Sequence, residues 1–155
     1  MPYRTGATDL QDNFVDWNTG YRLPTEAEWE KAARGGATGL RYPWGHTLTD
    51  GQANTGPDPT FSGICPVGYF APNGYEIYDT AGNIFEWCWD RYSTTYYSIS
   101  PAADPRGHEA SIDRALRGGS YLDGAFSCRT AYRSGLPPTH KLFAFGFRSV
   151  LPLIQ

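Results

Sequence analysis

The sequence predicts a loop-rich α+β domain, and three observations carry that expectation. One short amphipathic helix has both ends marked, aromatic rings and glycines are abundant, and the strand-like runs stay brief. Aromatics make up 15% of the 155 residues, with 11 Tyr and 5 Trp beside 18 Gly and 12 Pro. Large rings can fill a core while glycines and prolines turn the backbone between them. A helical bundle, richer in Leu, Ala, Glu and Lys and poorer in breakers, is excluded. The length suits one domain, and no tandem repeat or linker divides it.

The helix is expected over about 25–34. Thr25 and Glu28 form a capping box, with Thr25 as N-cap. Trp29, Ala32 and Ala33 lie on one stripe, Glu30 can pair with Arg34 a turn later, and Gly35-Gly36 ends the element. Residues 35–75 are studded with Gly, Pro, Asn and Asp and read as ordered loop, anchored by Tyr42 and Trp44 and turning at Asn73-Gly74. Short strands are expected at about 75–78, 84–88, 115–121 and 145–150. The Tyr- and Ser-rich stretch from Tyr92 to Asp113 reads as a long surface loop.

Composition removes several function classes. The net charge is −3 with no run of Lys or Arg, which argues against a nucleic-acid surface. No apolar stretch approaches the roughly 20 residues of a membrane span. The first residues, MPYRTGATDL, lack the apolar core of a signal peptide, so the compartment defaults to cytoplasmic. Three cysteines cannot all pair within one chain, and their spacings match no zinc pattern. Cys65 and Cys88 read as buried small hydrophobes.

Two segments and one thiol could carry chemistry. Asp79 and Glu86 bracket a turn at Gly82-Asn83, which can gather carboxylates and backbone carbonyls around one point. Ca²⁺ takes about six to eight such oxygens. The alternative is a turn capped by Asp79 with Glu86 paired to an arginine. Arg114, Arg117, Arg133 and Arg148 lie near aromatic residues, which suggests guanidinium groups stacked on rings or paired with carboxylates rather than an anion site. Gly118-Gly119 marks a bulge or a close backbone approach. Cys128 is the candidate nucleophile, with Arg129 and Arg133 placed to lower its pKa, although most buried thiols are inert.

Together these motifs resemble a known family. Tyr21-Arg22-Leu23-Pro24-Thr25-Glu26-Ala27-Glu28-Trp29-Glu30, Tyr42-Pro43-Trp44-Gly45, the Asn73–Trp87 block, Arg117-Gly118-Gly119-Ser120-Tyr121 and Gly146-Phe147-Arg148 are similar, in this order, to sulfatase-modifying-factor domains. These comprise the formylglycine-generating enzymes and their bacterial relatives. The resemblance runs from about residue 20 to 152. It implies a C-type-lectin-like fold, with one or two helices and few short strands, stabilised by bound calcium. One implied calcium site uses the side chains of Asp79 and Glu86 and the carbonyls of Gly82 and Ile84. A second uses Asn54, the carbonyl of Thr55 and a backbone oxygen near Phe61, but Pro59 stands where its aspartate is expected, with Asp58 beside it.

The resemblance to the enzymes breaks at the catalytic pair. Formylglycine-generating enzymes hold copper on two nearby cysteines and oxidise a substrate cysteine. Here Asp123 takes the first position and, without a gap, Cys128 the second. Soft Cu(I) wants paired thiolates, so formylglycine generation is not expected, and copper belongs only to the enzyme alternative.

Residues 1–155 are thus expected to form a single domain lacking the family's usual N-terminal portion, a gap that an oligomer or partner subunit could cover. The expected role is a scaffold for an unknown protein or small ligand. Its binding face would be built from Tyr121, Leu122, Asp123 and Phe126 with His140, Lys141 and Phe143. The alternatives are an oxidase using Cys128 and a variable protein of a diversity-generating retroelement.

Overall fold

The structure, a computed structural model, describes residues 20–56 and 60–151. Helix α1 spans Glu26–Arg34. Its first turn is closed as the sequence requires: the Glu28 N–H donates to Thr25 Oγ1 at 3.2 Å, and the Thr25 N–H donates to the Glu28 carboxylate at 2.8 Å. At the other end Gly35 adopts φ 57°, and its N–H donates to the Ala32 carbonyl at 3.1 Å. Glycine is needed there twice over, because a Cβ would also lie 2.6 Å from the Gly74 backbone nitrogen. Asn73 Nδ2 completes the cap by donating to the carbonyls of Ala32 and Ala33 at 2.7 and 3.1 Å.

Four strands form one mixed sheet: β1 (Phe85–Arg91), β2 (Arg114–Arg117), β3 (Ser134–Leu136) and β4 (Phe145–Gly146), in the order β3-β2-β1-β4. β1 pairs antiparallel with β2, with Glu86 opposite Arg117, and parallel with β4, with Phe85 opposite Phe145. Helix α1 lies on this sheet through Trp29 and Ala33, which pack with Cys88, Ala115 and Tyr92. A second apolar cluster, Tyr42, Ala53, Ala81 and Cys128, is covered by Trp44 and Leu48 from the loop region.

Helix and sheet are also joined by buried charge. Glu26, 0% exposed, receives Arg117 Nη1 at 2.9 Å and two bonds from Arg133 at 2.6 and 2.7 Å. Arg117 continues to Glu30 and to the Thr130 carbonyl at 2.5 and 2.7 Å, with its guanidinium 5.2 Å from the Trp29 ring centroid. Arg114 lies over Trp89, and Arg133 over Tyr92 and Tyr97. These arginines are parts of the core, as their aromatic company suggested.

The strand boundaries differ from the sequence expectation in five places, the first being that β1, expected over 84–88, runs on to Arg91. The strand expected at 75–78 is a turn, because Asn73 Oδ1 captures the N–H groups of Tyr75 and Ile77 and Glu76 takes φ 60°. The run 115–121 stops at Arg117, where Gly118 and Gly119 turn to φ 94° and 74°. The run 145–150 shrinks to two residues, with Val150 instead bridging Arg22. β3, Ser-Gly-Leu, has no alternation by which sequence could reveal it. The stretch after β1 is a loop, closed by Tyr92 N–H to Asp113 O and holding one 3-10 turn at Tyr96–Ser98.

Candidate functional site

The Asp79–Glu86 turn is built from left-handed residues: Asp79, Gly82 and Asn83 have φ 55°, 75° and 65°. That sequence of bends brings three distant segments together. The Asn83 N–H donates to Asn54 O at 2.8 Å, the Gly82 N–H to Gly118 O at 2.8 Å, and the Tyr121 N–H to Asn83 O at 3.0 Å. The contact with Asn54 is so close that a Cβ on Gly82 would stand 2.3 Å from the Asn54 carbonyl oxygen. Asn83 Oδ1 accepts from Cys65 N at 3.0 Å and from Asn54 Nδ2 at 3.3 Å, so its amide is a hub of the turn.

Asn54 is 1% exposed and uses its Nδ2 on Gly63 O at 2.9 Å, while its Oδ1 is buried with no hydrogen-bond donor among the described residues. A buried oxygen left in that state costs about 1–3 kcal/mol. It is the kind of hard oxygen that a cation would satisfy. Thr55, half-buried, follows it. Asp58 and Pro59, on which the second implied site turned, lie outside the described residues.

At the other implied site the carboxylate already has protein partners. Glu86 accepts from Trp29 Nε1 at 2.6 Å and from Arg148 Nε and Nη2 at 2.5 and 2.6 Å. Arg148 Nη2 also donates to the carbonyls of Tyr78 and Asp79 at 3.1 and 3.2 Å. A guanidinium therefore stands between the Asp79 backbone and Glu86. Burial works against that charge, but the Glu86 bond and its field outweigh burial and hold the proton more firmly than in a free arginine. The Asp79 carboxylate is turned to the Gly68 N–H at 2.8 Å. Among the described residues no three acidic, thiol or imidazole side chains converge, so a cation here would depend on carbonyl and amide oxygens such as those of Gly82 and Ile84.

Cys128 is fully buried, and a Cβ on Gly119 would lie 2.5 Å from its Sγ. Burial first, and the charge of Asp123 second, push its pKa up to about 12 against a favourable backbone hydrogen bond at Gly82. The thiol is protonated at neutral pH. This corrects the expectation that Arg129 and Arg133 activate it. Arg129 instead sits on the Phe126 ring, 3.8 Å from its centroid, and donates to Phe126 O, while Arg133 is committed to Glu26. Asp123, half-buried, accepts from Ser120 Oγ at 2.5 Å. Ser120 was not singled out by the sequence as a functional residue. Its position directly after Gly118-Gly119 was the available signal. Cys65 and Cys88 are also buried, and Cys88 belongs to the helix-side core rather than to the Cys128 cluster.

The two loops expected to bind ligand are open at their apolar tips. Leu122, Phe126 and Phe143 are 67%, 64% and 90% exposed, and His140 and Lys141 are exposed beside Phe143. Tyr121 is half-buried. A row of rings ties the first loop to the strand after the second: Phe126 meets Tyr132 at 5.6 Å, Tyr132 meets Phe85 at 6.5 Å, and Phe85 meets Phe145 at 6.2 Å. A row of packed rings thus underlies the solvent-facing side chains of these two loops.

One helix on a small mixed sheet, with long ordered loops carrying the polar constellations, is a C-type-lectin-like α+β architecture. The chain belongs to the family of the sulfatase-modifying factor enzyme 1-like domain, whose family model matches residues 9–153. It is 44% identical to a formylglycine-generating enzyme of Streptomyces coelicolor, across 86% of this chain and 50% of that protein. It is 36% identical to the inactive C-alpha-formylglycine-generating enzyme 2 of Mus musculus, across 86% of this chain and 46% of that protein. The chain spans about half the length of these relatives. Among solved structures, Treponema denticola variable protein 1 superimposes with a TM-score of 0.73 at 33% identity, over 90% of this chain and 52% of that one. PvdO from Pseudomonas aeruginosa gives 0.77 at 27% identity, over 91% and 58%.

Proposed function

We propose that this chain is a non-catalytic member of the family, a calcium-stabilised scaffold that presents Tyr121–Phe126 and His140–Phe143 to a protein or small ligand. The observation that carries the reading is that the acidic Asp123, and no second thiol among the described residues, lies within electrostatic reach of buried Cys128. The charge felt by the one thiol of this cluster is a carboxylate's, and that thiol is buried and protonated. Copper does not fit this arrangement, because Cu(I) favours soft paired thiolates and a carboxylate is a hard donor. The buried, unpartnered Oδ1 of Asn54 supports calcium, since a hard amide oxygen is one that this cation can satisfy. One site would take the Asn54 amide oxygen and the Thr55 carbonyl; the other would take the carbonyls of Gly82 and Ile84 with the carboxylates of Asp79 and Glu86, the Asp79 carboxylate leaving the Gly68 N–H to reach it. There the bound ion would neutralise buried oxygens and tie the loops together. At Glu86 the ion would share the carboxylate with Arg148.

The deciding experiment incubates the protein with copper, oxygen, a thiol reductant to supply the two remaining electrons of O₂ reduction, and a cysteine peptide bearing a sulfatase motif, followed by mass spectrometry. Conversion of the peptide cysteine to the aldehyde would establish the oxidase reading, which the 44% identity to a formylglycine-generating enzyme favours. An unchanged peptide, beside a positive control enzyme, supports the scaffold. The likeness to a variable protein favours a second reading, in which the exposed loops are the segment that varies. A reverse-transcriptase gene and a template repeat beside this gene would support it, and their absence from the locus would remove it.

A further inference from the structure

Along α1 from Ala27 to Arg34 lies a groove of about 630 Å³, lined by Glu30, Lys31, Arg34, Tyr75, Tyr97 and Arg133 among others. Its volume is that of a small-molecule site. It shares no residue with the loops or the Cys128 cluster of the proposed function, and it stands independently of that reading.

Both tyrosines are held in place while remaining solvent-facing. Tyr75 is 51% exposed, yet its N–H is fixed by Asn73, whose Nδ2 is in turn locked onto the end of α1, and its ring would lie 3.2 Å from a Cβ on Gly36. Tyr97 is 41% exposed and lies under the Arg133 guanidinium, 4.7 Å from the ring centroid. Arg133 is itself anchored by two bonds to buried Glu26. Rings that are pre-positioned but not buried lose little entropy on meeting a ligand.

The groove's charges are unequal in availability. Both Glu30 oxygens are taken, Oε1 by Arg34 and Oε2 by Arg117, and these arginines hold the carboxyl below its ordinary pKa despite burial. Arg133 is committed to Glu26 and to Ser93 O. The carbonyls of Ala32 and Ala33, which would otherwise attract a cation, already accept from Asn73. Lys31 is exposed, and among the described residues no carboxylate pairs with its ammonium. The groove therefore offers aromatic walls and one uncommitted positive charge.

We infer that this groove binds a small aromatic carboxylate, its ring against the tyrosine walls and its carboxylate at Lys31. The experiment titrates 4-hydroxybenzoate into ¹⁵N-labelled protein and follows the amides of Lys31, Gly36 and Tyr75. Benzyl alcohol serves as the uncharged ring and acetate as the ringless anion. The expected result is a saturable shift at those amides with 4-hydroxybenzoate. Binding should weaken by about two- to fivefold with benzyl alcohol or in Lys31→Gln, the worth of one exposed ion contact. Tyr75→Ala should weaken it as well, and both changes fall on exposed side chains whose loss leaves the fold intact. Three outcomes would overturn the inference: no saturable shift, equal affinity for the neutral ring, or acetate reproducing the same shifts.

Discussion

Replacing Arg117 by Met tests how helix and sheet are held together. Arg117 is 0% exposed and donates to Glu26, Glu30 and the Thr130 carbonyl while covering the Trp29 ring. Methionine keeps much of the packing volume but removes the charge and all three bonds. Breaking one side of a buried ion pair costs about 3–5 kcal/mol, because the remaining charge is left in a low-dielectric site. Here Glu26 keeps its two bonds from Arg133, and Glu30 keeps Arg34, which places the expected loss at the lower end, about 3 kcal/mol. For a chain of this size that corresponds to roughly 6–12 °C in Tm. Urea denaturation read by tryptophan fluorescence and by circular dichroism gives the loss directly. The double variant Arg117→Met, Glu26→Gln should lose more, since it also removes the carboxylate that Arg133 bonds. A loss below about 1 kcal/mol would refute the reasoning, because surface-like energetics would then apply to a fully buried pair.

Other consequences can be checked with the same protein. Asp90 is buried with Oδ1 unpartnered and Oδ2 accepting from the Glu26 N–H, and burial, aided by the charge of Glu26, pushes its pKa from 3.8 up to about 7 against the pull of that hydrogen bond and of Arg133. The folded state thus holds this proton more tightly than the unfolded chain, so the stability from protonated Asp90 is full below about pH 4, falls as pH rises to about 7 and is flat above. The stability of wild type relative to Asp90→Asn should fall between about pH 4 and pH 7, and a constant difference would contradict the assignment. Cys128, with its pKa near 12, should resist alkylation by iodoacetamide in the native state at neutral pH and react on unfolding; rapid native labelling would show an accessible thiolate. Removing calcium with a chelator should lower Tm, and adding it back should restore it by mass action. Asn54→Ala should shrink that response, and a chelator-insensitive wild type would count against the calcium reading.

The local elements were legible where one short segment settles its own geometry. The capping box Thr25–Glu28 and the Gly35 terminator are contacts within a turn or two of the chain, so α1 could be read to within a residue. The ordered motifs likewise marked the family, and Gly118-Gly119 announced a close approach that proved to be against Trp29 and Cys128. The strand boundaries were less legible. The run 75–78 has a strand-like composition, but one side chain, that of Asn73, captured its amides and made it a turn.

The sequence by itself determined the helix, the aromatic loop-rich class, the turn at Gly82-Asn83 and the presence of a carboxylate at position 123. Only the tertiary structure decided which arginine serves which acid. Glu86 meets Arg148 across 62 positions and Glu26 meets Arg133 across 107, and nothing in the spacing of either pair specifies it. The same holds for Cys128: its neighbours in sequence are cationic, but its neighbours in space are a carboxylate and an apolar wall. The physical reason is range. Caps and turns are settled by dihedral preferences over a few residues, whereas a thiol's pKa and the partners of a buried oxygen depend on dielectric, charge and neighbours, which exist only once the chain has closed around them.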